Sequence, residues 1–284
     1  MAGVKDIKRR RKSIESTMKI TKAMELVAFS KLRKAREQVR QTRPFFNKIY
    51  DVITNIAGSN NKINSIFFKK KPVKTRCYVV IAGDKGLAGN YNGNICRFAQ
   101  SEFDKYNKDD LLLVPIGKKA ADFCKKQGYS LYSEYNNISE TVDINLALDI
   151  SKKIIEGFIN NKFQEVYIIY TNFISVLVQR PELKKILPLS FSDNETNMKN
   201  KNILYDSSPQ TVFDKIVPQY ITGILYGAII ESFASEQGSR RIAMESASKS
   251  AKDMLHDIDI VFNKTRQSKI TQEITEIVSG VNIN

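Results

Sequence analysis

A single histidine and three cysteines are all that 284 residues offer to soft-metal or redox chemistry. Cys77, Cys96 and Cys124 are odd in number and widely spaced, with no C-x-x-C pair, and His256 is far from all of them. No metal site and no disulfide framework follows, and free, buried or partly buried thiols in a reducing compartment are expected. No apolar run approaches the roughly 18 residues that span a bilayer. The start, Met1 to Asp6, lacks the apolar core of a signal peptide, and acids at Asp6 and Glu15 argue against a mitochondrial presequence. The expectation is a soluble, cytoplasmic chain. Glycine is missing altogether from Val4 through Ala57, in keeping with one long helix over that stretch.

What is present is enough apolar material for a real core, 42% of residues, in one large or two ordinary domains. The formal charge is +15 and unevenly spread. Residues 1–58 hold 15 Lys/Arg against 5 Asp/Glu, whereas residues 209–284 hold 8 against 9. A basic N-terminal segment of this kind can meet nucleic acid, an anionic membrane surface or acidic protein partners.

Ile7, Ile14, Met18, Thr21, Ala28, Leu32, Ala35 and Val39 recur at steps of three, four or seven, a heptad register that predicts one long coiled-coil helix. Pro44 is a possible kink, after which Phe45, Ile49, Val52, Ile53 and Ile56 continue the apolar face to a stop at Gly58-Ser59-Asn60-Asn61. Such a helix is roughly 80 Å long, too long for a compact domain to enclose. From about Pro209 to Ser279 the pattern returns, with Ile216, Tyr220, Ile224 and Ala228, then Met244, Ala247, Ala251, Leu255, Ile258 and Phe262. Two long amphipathic helices with nothing else to cover them pair with each other.

Between them the texture changes. Cys77–Ala82, Leu111–Ile116 and Val166–Thr171 read as short buried strands, and Asn92–Tyr106, Lys118–Gln127 and Val142–Asn160 as helices. Ile174–Val178 and Ile186–Leu189 read as an edge hairpin, and Asn194–Asn202 as a polar loop. Alternating strands and helices predict a βαβ sheet. The fold class is therefore α/β: a long antiparallel coiled coil of terminal helices (1–58 and 209–284) with an inserted Rossmann-like α/β domain (59–208). The stretch VVIAGDKGLAGN, Val79 to Asn90, resembles a phosphate-cradling strand–turn–helix. Its glycines at 83, 86 and 89 fit neither G-x-G-x-x-G nor G-x-x-x-x-G-K-[ST], and no acid ends the next strand to hold a ribose. A tight structural turn is expected, with no cofactor.

Both arms leave one small domain, so they run side by side, and the C-terminal arm is longer by about 15 residues. Its end carries Ile270, Ile274, Ile277, Val278, Val281 and Ile283. An unpaired apolar helix tip in water is a liability, so another protein is expected to surround it.

Three stretches carry a resemblance: MKITKAMELVAFSKLRKA (Met18–Ala35), GDKGLAGNYN (Gly83–Asn92), and SEQGSRRIAMESA (Ser235–Ala247) together with FNKTRQSKITQEITEIVSG from Phe262. In this order, over essentially the full chain, they resemble the gamma subunits of F-type ATP synthases, bacterial type. Gly83 and Ala88 stand where the family commonly has serine and cysteine, Phe262 replaces its tyrosine and Thr265 its alanine. The chloroplast insertion with its redox cysteine pair is absent, so no thiol switch is expected.

The resemblance implies a non-catalytic central stalk. Its paired helices would fill a hexamer of alternating alpha and beta subunits, and its α/β domain would sit with the epsilon subunit on the membrane c-ring. Ring rotation driven by H⁺ or Na⁺ would force the catalytic beta subunits through different nucleotide affinities. Membrane association would come through the complex only, at the cytoplasmic face of a bacterial inner (plasma) membrane. By the same resemblance Met24 and Arg240 lie in regions where rotor–stator coupling is sensitive, and Arg266, Gln267, Thr271 and Glu273 are the donors and acceptors that grip beta-subunit loops. Catalytic, cofactor-binding and metal residues are expected to be none.

The cluster Lys8-Arg9-Arg10-Arg11-Lys12 is either a solvated helix face or a contact with acidic loops of the surrounding hexamer. Arg240 has a plain surface reading, Met24 a packing one, and His256 is expected to be solvated. Two readings from other classes stand beside the rotor: a scaffold binding nucleic acid or an anionic surface through its basic arm, although no aromatic platform interleaves the basic residues, and a small α/β nucleotide-binding enzyme with helical arms.

Overall fold

The structure, a computed structural model, describes residues 4–58, 65–136, 143–190 and 208–281, with side chains omitted at 57, 58, 209 and 277–281. The expected polar loop at 194–202 lies outside the described residues. The elements are α1 (Val4–Gly58), β1 (Arg76–Ile81), α2 (Tyr91–Phe103), a 3-10 turn (Lys108–Asp110), β2 (Leu111–Ile116), α3 (Lys118–Lys126), α4 (Ile144–Ile159), β3 (Glu165–Phe173), β4 (Gln179–Leu187) and α5 (Pro209–Val281). The helix α1 runs unbroken through Pro44, and α5 through Pro218. The chain divides into two compact units, Met1–Phe29 with Arg240–Asn284, and Ser30–Ser239.

The larger unit is built on a four-stranded sheet of order β2-β1-β3-β4. β1 pairs in parallel with β2 and β3, and β4 closes the edge antiparallel to β3. Successive side chains of a strand point to opposite faces, which assigns the two cores. Cys77, Val79 and Ile81 face one side with Val114, Ile116, Val166 and Ile168, where Ile150, Ile154 and Phe158 of α4 and residues of both long helices, from Leu32 to Ile56 and from Phe213 to Ala234, cover them. Tyr78, Val80, Leu111, Leu113 and Ile169 face the other side against Ile95, Ala99 and Phe103 of α2 and Ala120 and Cys124 of α3. Burial on both faces is why these strands read as continuous apolar runs.

Within this unit the long helices pack closely. Tyr50 lies against Tyr220 with ring centroids 5.8 Å apart, and Phe46 against Tyr226 at 6.2 Å. A Cβ at Gly223 would stand 2.1 Å from the Phe46 ring, so only glycine lets that ring rest on α5. One part of α5 is long and apolar enough by composition to cross a membrane, but most of it is buried inside the protein, as in the core helix of a soluble fold.

The expected edge hairpin needs correction. Residues 174–178 are the connection, and the strand that follows is Gln179–Leu187, QRPELKKIL. Its charge disguised it: a sheet-edge strand is kept from pairing with other chains by lysine and proline, the residues that lower its strand signal.

All three thiols are free, with Cys77 and Cys124 buried and Cys96 partly so. Burial raises each pKa, to about 11 for Cys96 and about 12 for Cys124, which disfavours the reactive thiolate at neutral pH.

At the start of β3, Glu165 accepts from Arg76 Nε at 3.1 Å and Lys185 Nζ at 2.6 Å, and from the Tyr167 hydroxyl at 3.1 Å. Burial alone would raise its pKa, but the hydrogen bonds and charges of these partners prevail and lower it. A depressed carboxylate stabilises the fold above its unfolded pKa, about 4.3, and that contribution is lost as pH falls through the folded value. Glu165→Gln is therefore expected to be less stable than the parent at neutral pH, with the gap closing below about pH 4; urea midpoints against pH measure it, and a constant gap would contradict the assignment.

Candidate functional site

The smaller unit is an antiparallel helix pair. Lys8 lies over the Phe262 ring at 5.7 Å, and Arg11 Nε donates to Asp259 Oδ1 at 2.7 Å. Thr21 and Ser248 hydroxyls are 2.8 Å apart, and Arg241 lies over the Phe29 ring at 4.7 Å. As one partner advances the other retreats by the same number of residues to within one, which fixes direction and register. The α5 seam is Met244, Ala247, Ala251, Leu255, Ile258, Phe262 and Thr265, each buried or half-buried and spaced three or four apart. The α1 seam, Ile7, Ile14, Met18, Thr21 and Ala28, is covered likewise.

This register brings the first described residue of α1, Val4, level with about residue 266 of α5, and every described side chain from Arg266 to Glu276 is exposed. Continued at heptad steps, the seam would pass through Lys269, Gln272 and Glu276, all polar. The isoleucines of the tip stand elsewhere on the helix: Ile270 is 45% exposed and Ile274 56%. At about 100° per residue, Glu273, Arg266, Ile270, Ile274, Gln267 and Thr271 share one arc of about 160°, and Ser268, Lys269, Gln272, Thr275 and Glu276 share the other. The apolar stripe thus turns away from the α1 side beyond the described start of α1. The side chains of Ile277, Val278 and Val281 are not described, and Ile283 lies outside the described residues.

The residues expected at the tip therefore flank the isoleucine stripe. Glu273 Oε1 is 3.6 Å from Lys269 Nζ, and the Thr271 hydroxyl donates to the Gln267 carbonyl at 3.0 Å. Met24 is half-buried and Arg240 is 9% exposed, in contrast to the surface reading. They lie in neighbouring turns, about 8 Å apart along the axis by the register, and are not gathered with the tip residues. Next to Met24, Glu25 is buried and accepts from Lys22 Nζ on both carboxylate oxygens, at 3.1 and 3.0 Å. Lys8 to Lys12 are all exposed, and so is His256.

The pair also exposes large apolar side chains along its length. Ile20, Leu26, Val27, Met254, Ile260 and Val261 are each more than half exposed, and a groove lined by Ile7, Ile14, Met254, Ile258 and Val261 is flanked by Asp6, Arg10 and Asp257. Two helices cannot cover each other all round, and this pair leaves apolar side chains on its outer faces.

In the larger unit, hydrogen bonds within the chain hold the glycine loop. Gly83 N donates to Asn92 Oδ1 at 2.8 Å, and the first amide of α3, Lys118 N, donates to Asp84 Oδ1 at 2.9 Å. The Asp84 carboxylate thereby ties the glycine loop after β1 to the start of α3, the helix that follows β2. Left-handed backbone falls at Leu87 and Gly89, as in a structural turn. Two of the resembling stretches meet here: Glu236, buried in α5, comes so close to Gly83 that a Cβ at that position would be 2.8 Å from its carboxyl carbon.

A group of polar residues missed from the sequence sits beside it. Ser232, Ser235, Glu236 and Gln237 are all buried in α5. Ser232 Oγ accepts from Thr171 N at 3.1 Å, the Ser235 hydroxyl donates to Thr171 O at 3.2 Å, and the Ser239 hydroxyl donates to Gln179 Oε1. Tyr91 is buried against the same turn; burial and the Glu236 carboxylate raise its hydroxyl pKa, opposed by hydrogen bonding to Ser232. The signal was three serines at i, i+3 and i+7 in a largely apolar helix.

Comparison with known proteins agrees with this architecture. A family model described as ATP synthase matches residues 3–283. An ATP synthase gamma chain of Ruminococcus albus is 43% identical over 99% of this chain and 98% of its own length. One from Alkaliphilus metalliredigens is 40% identical over 98% and 97%. A chain of the Euglena gracilis mitochondrial ATP synthase, solved as OSCP/F1/c-ring in rotational state 3, has the same fold at a TM-score of 0.67 and 17% identity, over 99% of this chain and 95% of that one. With long terminal helices, a central mixed sheet and full-length relatives of one kind, the chain belongs to the ATP synthase gamma-chain family, the rotor subunits of F-type ATP synthases.

Proposed function

We propose that this chain is the central stalk that couples ion-driven rotation of the membrane ring to ATP synthesis or hydrolysis at the beta subunits. The observation that carries the reading is the tip, where α5 runs past the described part of α1 and turns an isoleucine stripe away from the seam. A hexamer of alternating alpha and beta subunits supplies the missing cover. Arg266, Gln267, Thr271 and Glu273, on the rim of that stripe, bond to beta-subunit loops in a given angular state. Charge-assisted bonds of about 1.5–3 kcal/mol each are strong enough to mark an angle and weak enough for rotation to break. Met24 and Arg240, on facing helices two turns or less apart, transmit contact with the beta subunits to the shaft.

In this reading residues 1–58 and 209–284 are the shaft and 59–208 the body that meets the epsilon subunit and the c-ring. The nucleotide chemistry belongs to the beta subunits and the chain itself is non-catalytic. As an ATP synthase subunit it is part of a membrane-bound complex, peripheral on the cytoplasmic face of a bacterial inner membrane and held there by its partners.

Reconstitution with alpha and beta subunits of the same organism tests this. ATP hydrolysis is expected to depend on the chain, and a version ending after Lys264 is expected to assemble but deliver weaker torque. If the full chain neither joins the hexamer nor changes its turnover, the reading fails.

A further inference from the structure

The stretch of α5 from Ser232 to Ser239 meets the sheet through directional bonds where its neighbours meet through apolar contact. β1 pairs with β3 only as far as Val80 opposite Ile169, so Thr171 lies beyond its last β1 partner. Across the other edge it faces Pro181, which has no N–H to give. Ser232 and Ser235, one turn apart on α5, take both the N–H and the C=O of Thr171. They replace the strand that has ended. One turn on, Ser239 bonds to Gln179, whose amide nitrogen donates to Val176 O at 2.7 Å and so ties the start of β4 and the connection before it. Gly238 permits this approach: a Cβ there would be 3.2 Å from Gln179 Nε2 and 3.5 Å from the Phe173 ring. The Glu236 carboxylate, on the same stretch, is wedged against Gly83.

Apolar packing is non-directional. It holds a helix against a sheet at a given distance, but resists rotation of that helix about its own axis only as far as side chains interlock. Hydrogen bonds weaken steeply with angle, and three of them on one stripe of a helix fix its azimuth. We propose that Ser232, Ser235 and Ser239, bonded to Thr171 and Gln179, form an angular lock through which torque passes between the α/β domain and α5.

The inference rests on the rotor reading and assigns positioning residues to it. Without the lock, α5 still packs on the body but turns against it under load, so rotation of the body is delivered to the shaft with slack. Substitution of the serines by alanine leaves the Thr171 backbone groups unpaired and also lowers stability, so a loss of stability by itself does not distinguish the proposal.

The test uses the full chain assembled with alpha and beta subunits, with a bead attached to the α/β domain, and measures the angular spread of the bead at each catalytic dwell. Ser232→Ala/Ser235→Ala/Ser239→Ala is expected to at least double that spread while solution ATP hydrolysis stays within about twofold of the parent. Ser239→Thr, which keeps the hydroxyl, is expected to match the parent, and Ser235→Ala alone to give an intermediate spread if the triple variant does not fold. Ile95→Val, in the opposite core under α2, lowers stability without touching the lock and is expected to leave the spread unchanged. An unchanged spread in the serine variants, or an equal broadening in Ile95→Val, overturns the proposal while leaving the rotor intact. Failure of the parent chain to assemble or rotate overturns the rotor reading on which the proposal stands.

Discussion

Gly117→Ala is expected to destabilise the larger unit by about 3 kcal/mol or more, the sum of left-handed strain and a backbone collision. Gly117 sits between β2 and α3 with φ 95° and ψ 141°. A Cβ there would stand 2.1 Å from the carbonyl oxygen of Ala82 and 2.9 Å from its carbon. Neither side can yield. Ala82 N is bonded to Ile116 O at 2.9 Å, Lys119 N to Gly83 O at 3.0 Å, and Gly117 N to Tyr135 O at 2.7 Å. Any shift breaks the junction that also carries Asp84 to the start of α3. Gly128 separates the two causes: it has φ 74°, but nothing lies within 4 Å of the place a methyl group would take, so Gly128→Ala is expected to cost only about 1–2 kcal/mol. Urea unfolding of the two variants measures the difference. Equal midpoints would show that the close approach at Gly117 contributes nothing.

The parts of this fold that were legible in the sequence are those where burial leaves a periodic trace. β1, β2 and β3 announced themselves because both faces are covered, and the long helices because one seam residue in every three or four is apolar. β4 escaped because an edge strand with Arg180, Pro181, Glu182, Lys184 and Lys185 carries the chemistry of a loop. The serine lock escaped for a different reason. A hydroxyl that bonds to the backbone of a strand more than sixty residues away looks, in sequence, like any small helical residue. Arg240 and Glu236, charged and buried, could not be told from surface positions by pattern; the family motif marked their stretch without saying what they touch. At the tip the sequence held more than its apolar content. The step from Phe262 and Thr265 to Ile270 and Ile274 breaks the heptad, and that break carries the apolar residues off the α1 side of the helix.

Ile270→Asp/Ile274→Asp is expected to leave the free chain within about 0.5 kcal/mol of the parent and to weaken its assembly with alpha and beta subunits at least about 100-fold. The asymmetry follows from where these residues stand. In the chain alone they are half-exposed, beyond the described end of α1, and make no core contact whose loss would be felt. In the proposed hexamer the same stripe would be desolvated, and an unpaired carboxylate there would cost several kcal/mol. Gln272→Asp/Thr275→Asp adds the same charge one or two residues away on the opposite arc, so it controls for net charge and for the helix dipole. It is expected to weaken assembly less than tenfold, because that arc is polar already and retains solvent or hydrogen-bonding partners. Titration of labelled chain against the alpha–beta complex reads both pairs. Equal losses would mean that the tip is held by charge alone and that the turn of its apolar face carries no specificity. A loss confined to the isoleucine pair would make that turn, five residues past the last seam position, the feature that fits this shaft to its sleeve.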